Sequence, residues 1–182
     1  KQTLEQAGCK AGLIGTIHTE IDAMDVPAKY TTPEPWDLNA LFSRMVLAGC
    51  TFAVMEASSQ ALDQLRLWGL TFEVGVFTNL TQDHLDYHKT FENYFAAKKS
   101  LFSQVKPMVV NLADSYGRRL LDEVHGPERI TFSAGDDAAD YTARNIRLSA
   151  SGVKFEMVGR GFIQRIDFPM PGDYSVHNAL AA

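Results

Sequence analysis

The stretch from Val76 to Phe102 combines an apolar run, a loop rich in acids and histidines, and a helix that carries a lysine on its apolar face. At about 100° per residue, Lys98 shares one stripe with Phe91, Tyr94, Phe95, Leu101, Phe102 and Val105. A lysine in such a stripe can pack its stem and extend its ammonium to water. Alternatively it is desolvated, which lowers the lysine pKa and favours a neutral, nucleophilic amine.

A neutral amine can add to dissolved CO2 and form a carbamate, which replaces a cation by an anionic oxygen ligand for a metal. The loop before the helix offers further candidate ligands, namely Asp83, His84, Asp86 and His88. Hard oxygen ligands with water suit Mg2+, whereas histidines alone would suit zinc. The sequence therefore raises the hypothesis of a metal site near Lys98.

Polar residues also follow several predicted strands directly, at the edge of a parallel sheet where ligands bind. Glu56 follows the apolar run 51–55, and His84 lies in the loop after the run 74–78. If these runs are neighbouring strands, the two side chains can share a divalent metal. Taken singly, Glu56 is better explained as a helix-capping or ion-paired carboxylate, and His84 as a hydrogen-bonded loop residue, so the metal site depends on their convergence. The same edge would receive Thr31, Thr32, Ser58, Ser59, Asn111 and Asp114.

Hydrophobic periodicity predicts an alternation of strands and helices over the first two thirds of the chain. The predicted strands are 11–21, 51–55, 74–78, 108–111 and 130–132, and the predicted helices are 38–46, 61–68, the Lys98 helix and 118–124. A proline-containing loop spans 25–35. The last third has three runs, 141–148, 153–158 and 162–168, joined by short turns that contain glycine, and these predict antiparallel hairpins. We expect an α/β fold with a doubly wound, mostly parallel sheet and a small antiparallel β meander near the C-terminus.

Composition narrows the class of protein. The chain has 182 residues, a length typical of one domain that is large enough to bury a hydrophobic core. Its formal net charge of −5 argues against general, sequence-independent binding of nucleic acid. Cys9 and Cys50 have no metal-type spacing, and we interpret both as free thiols of a reducing compartment. No run is apolar enough to span a bilayer and no signal peptide opens the chain, so we expect a cytoplasmic protein without membrane insertion.

Four segments closely resemble the central, ATP-binding domain of the Mur ligases. They are Thr-Thr-Pro at 31–33, Met-Glu-Ala-Ser-Ser-Gln-Ala-Leu-Asp-Gln-Leu-Arg at 55–66, Thr-Asn-Leu-Thr-Gln-Asp-His-Leu-Asp-Tyr-His at 78–88 and Ala-Ala-Lys at 96–98. The resemblance continues through 111–114 to 172–182, and within the family it is greatest to the branch that adds the third amino acid of the peptidoglycan peptide. It implies that ATP phosphorylates the carboxylate of UDP-MurNAc-L-Ala-D-Glu, after which a diamino acid, diaminopimelate or lysine, attacks the acyl phosphate to form an amide bond.

The resemblance also implies roles for particular residues. Lys98 matches the lysine that is carbamylated and supports Mg2+ beside the nucleotide phosphates, and Glu56 and His84 match the metal ligands. Asn178 matches an asparagine near the adenine of ATP. The positions that match contacts to the muramoyl-dipeptide substrate are Thr31, Thr32, Ser58, Gln64 and Arg66. Of these, the planar guanidinium of Arg66 suits a bidentate carboxylate contact.

The sequence departs from the family pattern in several places. A phosphate-binding run of the Gly-Thr-Asn-Gly-Lys-Thr type, which the family carries just before the position of Lys1, is not in this sequence. Gln60 replaces a histidine and Ser175 replaces an asparagine. Both ends look cut, so we expect residues 1–182 to be a central domain that lacks its amino-terminal and carboxy-terminal partner domains and is inactive alone. The alternatives are a ligase similar to folylpolyglutamate or cyanophycin synthetases, or a non-catalytic binding module of the same fold.

Overall fold

The computed structural model describes residues 1–27 and 29–182, and the chain divides into two compact units, 1–70 and 71–182. Each unit contains its own sheet, of four strands in the first unit and six in the second. Part of the predicted loop 25–35, at position 28, lies outside the described residues. The two units are therefore considered one at a time.

The first unit is a small α/β arrangement whose sheet has the order β3-β2-β1-β4. Its elements are α1 (Gln2–Gln6), β1 (Ala11–Ile14), β2 (Thr19–Ile21), β3 (Met24–Val26), α2 (Pro35–Leu47), β4 (Phe52–Met55) and α3 (Ser59–Asp63). β4 pairs in parallel with β1, and the other two pairings are antiparallel. In the chain, α2 thus connects the parallel strands β1 and β4, and α3 follows β4, in the alternation that the periodicity predicted.

The single strand predicted over 11–21 is wrong, because the chain reverses within it. β1 ends at Ile14 and β2 begins at Thr19, and the backbone N–H of Gly15 donates to the carbonyl of His18 (3.0 Å) to close the turn. Ile17 lies at the turn and is 86% exposed. The continuing β-type pattern through 19–21 hid the turn, and β3 forms within the predicted loop because it completes the hairpin.

The continuous apolar run 51–55 predicts a strand buried on both faces, as in the middle of a parallel sheet, and this prediction is wrong. Phe52 is 44% exposed, and Val54 and Met55 are half-buried. β4 is the last strand of its sheet and has β1 as its one neighbour there. An apolar run predicts a strand covered on both faces only when the strand is central in the sheet.

The second unit contains the mostly parallel sheet, in the order β10-β9-β8-β7-β6-β5. Its elements are β5 (Gly75–Phe77), α4 (Leu85–His88), α5 (Phe91–Ser100) with a 3-10 turn (Leu101–Ser103), β6 (Pro107–Asn111), α6 (Ser115–Glu123), β7 (Glu128–Ser133), β8 (Tyr141–Ser149), β9 (Gly152–Gly159), β10 (Phe162–Phe168) and α7 (Tyr174–Ala181). β5 to β8 are parallel, and β8 to β10 form the antiparallel meander that was predicted. Arg160 and Gly161, both with positive φ, join β9 to β10 in a two-residue turn.

Helices pack on both faces of this second sheet. Met108 and Val110 of β6 belong to a cluster with residues of α5 and α6, whereas Val109 packs against a cluster that includes Val176 and Leu180 of α7. Alternate residues of a strand point to opposite faces, so the two clusters cover opposite sides of the sheet. The fold class predicted from the sequence, a doubly wound α/β sheet with an appended meander, is confirmed.

The helices of the chain are short. α2 has 13 residues, whereas a membrane-spanning helix needs about 20 apolar residues. Within residues 1–27 and 29–182, we find no helix with the length and hydrophobicity needed to cross a bilayer.

Gly117 of α6 gives a prediction about stability. A Cβ at this position would lie 2.1 Å from the backbone oxygen of Asn111 at the end of β6. We expect Gly117→Ala to destabilise the protein by about 2 kcal/mol, because a backbone clash outweighs the better helix propensity of alanine. The matched control is Gly135→Ala, since a Cβ at Gly135 meets no atom within 4 Å. Chemical denaturation would measure both, and equal midpoints for the two variants would contradict the prediction.

Candidate functional site

Glu56 lies directly after β4 and connects two other loops of the first unit through its side chain. The hydroxyl of Thr16 donates to Oε2 of Glu56 (2.6 Å), and the hydroxyls of Thr16 and Thr31 are 3.1 Å apart. The backbone N–H of Glu56 donates to the carbonyl of Ile14 (2.9 Å), which extends the β1–β4 pairing by one residue. The strand pair therefore fixes the backbone of Glu56, and the threonines orient its exposed carboxylate.

Thr32 is buried and holds two polar segments together. Its hydroxyl donates to the backbone carbonyl of Glu56 (2.8 Å) and accepts from the backbone N–H of Ser58 (2.9 Å). Ser58 in turn caps α3, since its hydroxyl accepts from the N–H of Ala61 (3.3 Å). The side chain of Thr32 thus positions the candidate metal ligand Glu56 and the start of α3.

Arg66 contacts the same loop with its guanidinium. Its Nη1 donates to the carbonyl of Thr32 (3.0 Å), and its Nε and Nη2 donate to Oε1 of Gln64 (2.9 and 2.6 Å). Nη2 also lies 3.0 Å from Oε1 of Glu34, and the guanidinium lies over the ring of Tyr30, 5.3 Å from its centroid. The paired N–H groups suited to a carboxylate therefore face the neutral amide oxygen of Gln64, a weaker acceptor than a carboxylate.

These contacts bring six of the predicted site residues into one network, which we call the Glu56 network. Its members are Thr16, Thr31, Thr32, Glu34, Glu56, Ser58, Gln64 and Arg66. Sequence reasoning missed Thr16 and Glu34. Gly15, which directly follows β1, is the kind of residue that signals a turn. A turn predicted there would have placed Thr16 at the same edge of the sheet as Glu56.

In the second unit, three candidate residues pack against the ring of Tyr94. They are His84, His88 and Lys98, and together with Tyr94 we call them the Tyr94 cluster. The buried His88 stacks on Tyr94 with ring centroids 5.1 Å apart, and His84 meets it edge-on at 5.9 Å. Nζ of Lys98 lies 5.3 Å from the centroid of the same ring. The stripe of α5 thus brings the lysine and the histidine-rich loop together.

Lys98 is desolvated in this cluster. Burial lowers the pKa of the Lys98 amine, and the negative charges of Asp114 and Asp83 oppose that effect. Burial likewise raises the pKa of the Tyr94 hydroxyl. This direction favours the second of the two alternatives that the helical stripe left open, a desolvated amine with a larger neutral fraction than an exposed lysine has.

His84 has a left-handed backbone conformation, with φ of 54°. The carboxylate of Asp83 accepts from the backbone N–H of His84 (2.8 Å), and its other oxygen lies 3.5 Å from Nε2 of the His84 ring. Within the described ranges, no group of three or more histidine, cysteine, aspartate or glutamate residues is arranged to hold a metal. Since Glu56 belongs to the first unit and His84 to the second, a metal shared by both stays a prediction.

Asn178, predicted to lie near the adenine, is exposed on α7. The other side of α7 packs against the sheet through Val176 and Leu180. Ser175, which replaces an asparagine of the family pattern, is buried and donates to the carbonyl of Pro171 (3.0 Å). The nucleotide contact of Asn178 therefore stays a prediction, whereas Ser175 stabilises the start of α7.

Comparison with known proteins places this fold and these residues in a family. A family model described as the Mur ligase middle domain matches residues 1–182. UDP-N-acetylmuramoyl-L-alanyl-D-glutamate--2,6-diaminopimelate ligase 1 of Clostridium acetobutylicum is 43% identical over 182 residues, which are 100% of this chain and 37% of that protein. The corresponding ligase of Clostridium tetani is 42% identical over 182 residues, again 100% of this chain and 37% of the relative.

A solved structure confirms the similarity in three dimensions. The structure of a UDP-N-acetylmuramoyl-L-alanyl-D-glutamate--2,6-diaminopimelate ligase matches with a TM-score of 0.89 and 32% sequence identity, covering 99% of this chain and 38% of that one. The chain thus spans less than two fifths of the length of these relatives. The family match over all 182 residues, together with these identities, shows that the chain belongs to the Mur ligase middle domain family.

Proposed function

We propose that this chain is the ATP-binding part of a ligase that adds 2,6-diaminopimelate to UDP-MurNAc-L-Ala-D-Glu during peptidoglycan synthesis in the cytoplasm. The family and the names of the relatives support the reaction class and the diamino acid. The Glu56 network carries the proposal, since it brings together six residues that the family resemblance assigns to substrate and metal.

Arg66 and its loop would bind the muramoyl-dipeptide. A substrate carboxylate is a stronger acceptor than the amide oxygen of Gln64, so it can take over the two N–H groups that Gln64 now accepts from. Thr31 would contribute its partly exposed hydroxyl, while Thr32 and Ser58 keep the loop and α3 in place. Binding would thereby fix the carboxylate that is to be activated.

The residues present fit Mg2+ in their chemistry, and the family supports ATP as the nucleotide. Glu56 offers an exposed carboxylate of the kind that Mg2+ prefers, and the desolvated Lys98 is suited to become an anionic carbamate. We propose that Glu56, His84 and carbamylated Lys98 hold Mg2+ and that Asn178 contacts the adenine. When bound, the metal would neutralise charge on the transferring phosphoryl group. The carbamate would also remove the cost of a buried ammonium.

The test of this function uses the full-length parent protein. We expect ADP and phosphate to be released only when UDP-MurNAc-L-Ala-D-Glu and diaminopimelate are both supplied. The mass of the product should equal that of the whole UDP-MurNAc-L-Ala-D-Glu plus diaminopimelate minus water. Lysine and glutamate serve as parallel acceptors. Turnover with a folate substrate and glutamate, but not with the muramoyl-dipeptide, would contradict the proposal and favour the folylpolyglutamate alternative.

The role of Arg66 can be tested by Arg66→Lys in the full-length protein. We expect the KM for the muramoyl-dipeptide to rise by about tenfold, because a point charge replaces a planar fork that donates two parallel hydrogen bonds. Arg144→Lys is the matched control, since Arg144 pairs with Asp137 on the exposed surface of the meander. Steady-state kinetics would measure both variants, and an unchanged KM for Arg66→Lys would count against the contact.

A further inference from the structure

The same three residues, Ala-Gly-Cys, occur at 7–9 and again at 48–50, in each case between a helix and a strand. Both copies end their helix in the same way. Gly8 and Gly49 have φ of 84° and 80°. The N–H of Cys9 donates to the carbonyl of Leu4 (3.0 Å), and the N–H of Cys50 to that of Met45 (2.9 Å). These are two equivalent Schellman endings, so the two cysteines leave their helices with the same local geometry.

The two strands that follow are parallel neighbours in matching register. Ala11 of β1 pairs with Phe52 of β4, two residues after Cys9 and Cys50 respectively. The pairing reaches back towards the cysteines, since the N–H groups of Thr51 and Phe52 both donate to the carbonyl of Lys10 (2.9 and 3.2 Å). Counted two residues back along the same register, Cys9 falls opposite Cys50 at the entrance to the β1–β4 pair.

Facing positions on neighbouring strands are close enough for a disulfide. Neighbouring strands lie about 4.8 Å apart, and Cα atoms joined by a disulfide lie about 4.4–6.8 Å apart. Side chains at facing positions point to the same side of a sheet. Both thiols are free and half-buried, so a small oxidant can reach them.

We propose that Cys9 and Cys50 form a cross-strand dithiol that is reversibly oxidised to an intramolecular disulfide by peroxides. One thiol loses its proton, and the thiolate attacks hydrogen peroxide to give a sulfenic acid and hydroxide, which takes up that proton and leaves as the first water. The second thiol then attacks that sulfur, forms the S–S bond and releases a second water. The two thiols lose two electrons in total, and the peroxide gains them.

The direct test treats the full-length protein with hydrogen peroxide, blocks the remaining thiols, and digests with trypsin. Cleavage after Lys1, Lys10, Arg44 and Arg66 releases Cys9 in peptide 2–10 and Cys50 in peptide 45–66. We expect these two peptides to be recovered as one disulfide-linked species, two hydrogens lighter than their sum, which dithiothreitol separates. With peroxide in excess, the first-order rate constant for its formation should not change with protein concentration. Recovery of each peptide separately, or a rate constant that rises in proportion to protein concentration, would overturn the proposal.

Two variants complete the test. After the same treatment of Cys9→Ser or Cys50→Ser, we expect the remaining cysteine to be recovered either oxidised alone or carrying the blocking reagent. The disulfide-linked pair of peptides should not form. A second measurement uses dibromobimane on the reduced protein, since this reagent becomes fluorescent when two nearby thiols displace both of its bromides. We expect label bridging peptides 2–10 and 45–66 in the parent protein and no such bridge in either variant. Absence of the bridge in the folded parent protein would show that the cysteines do not face each other.

Discussion

Lys98→Met in the full-length protein is expected to lower the turnover number by at least about 10²-fold. The proposed carbamate cannot form on methionine, so one anionic ligand of Mg2+ is lost where charge develops during phosphoryl transfer. Methionine retains the length and apolar contacts of the lysine stem beside Tyr94. Release of ADP under saturating substrates would measure the effect, and added bicarbonate should not restore activity.

The matched control is Lys99→Met, one residue further along α5. The side chain of Lys99 is 37% exposed, and its Nζ is 2.6 Å from Oε2 of Glu123. A surface ion pair of this kind contributes little to stability. Lys99 is also not one of the residues proposed to hold the metal. We expect Lys99→Met to retain most of the activity. Equal losses in both variants would indicate a general disturbance of α5 and would remove Lys98 from the proposed mechanism.

Thermal unfolding separates the chemical role of Lys98 from a structural one. In the unmodified protein, burial holds the pKa of Lys98 below its ordinary value, so the ammonium is destabilising at pH values below its folded pKa. As pH rises through that folded pKa, the folded state releases the proton while the unfolded state retains it, and the protein becomes more stable. We therefore expect Lys98→Met to melt no lower than the parent protein at neutral pH, with the difference shifting in favour of the parent as pH increases.

Glu56→Gln is expected to raise the Mg2+ concentration needed for half-maximal activity by at least about tenfold. The amide retains an oxygen that can accept from the hydroxyl of Thr16, but it removes the negative charge that attracts the metal. The loop geometry should therefore persist while metal affinity falls. Titration of activity with Mg2+ at fixed free ATP would measure the shift.

A surface carboxylate provides the comparison for Glu56. Glu73 pairs with Lys106 at the surface (2.6 Å), and its side chain is 77% exposed. Glu73→Gln changes the net charge by the same amount without touching the Glu56 network, so its Mg2+ titration should match that of the parent protein. An unaltered titration in Glu56→Gln as well would withdraw Glu56 as a metal ligand.

The sequence predicted the second unit well because its elements have clear periods and clear boundaries. Alternating apolar residues with short glycine turns indicated β8 to β10, and the 3.6-residue period of α5 placed Lys98 beside buried aromatic residues. Thr90 and Asp114, which cap α5 and α6 through their side chains, are residue types that favour such positions. Local chemistry and long-range packing agree in this part of the chain.

The sequence was less informative where the backbone adopts a conformation that its residue type does not favour, or where a turn interrupts a run of strand-forming residues. His84 adopts positive φ although it is not glycine, and the carboxylate of Asp83 stabilises that conformation through the backbone. The reversal after Ile14 was hidden because residue types that favour strands, Thr19 and Ile21, follow it closely. As a result Thr16, the direct partner of the Glu56 carboxylate, was assigned to the middle of a strand.

Thr32 has a consequence for attempts to engineer specificity in this loop. One hydroxyl hydrogen bonds to the carbonyl beside the candidate metal ligand and to the amide that begins α3. Exchange of Thr32 would therefore alter magnesium dependence and dipeptide recognition together, even if the side chain never meets the dipeptide. Selection for a new acyl donor would therefore have to meet two requirements at once at position 32.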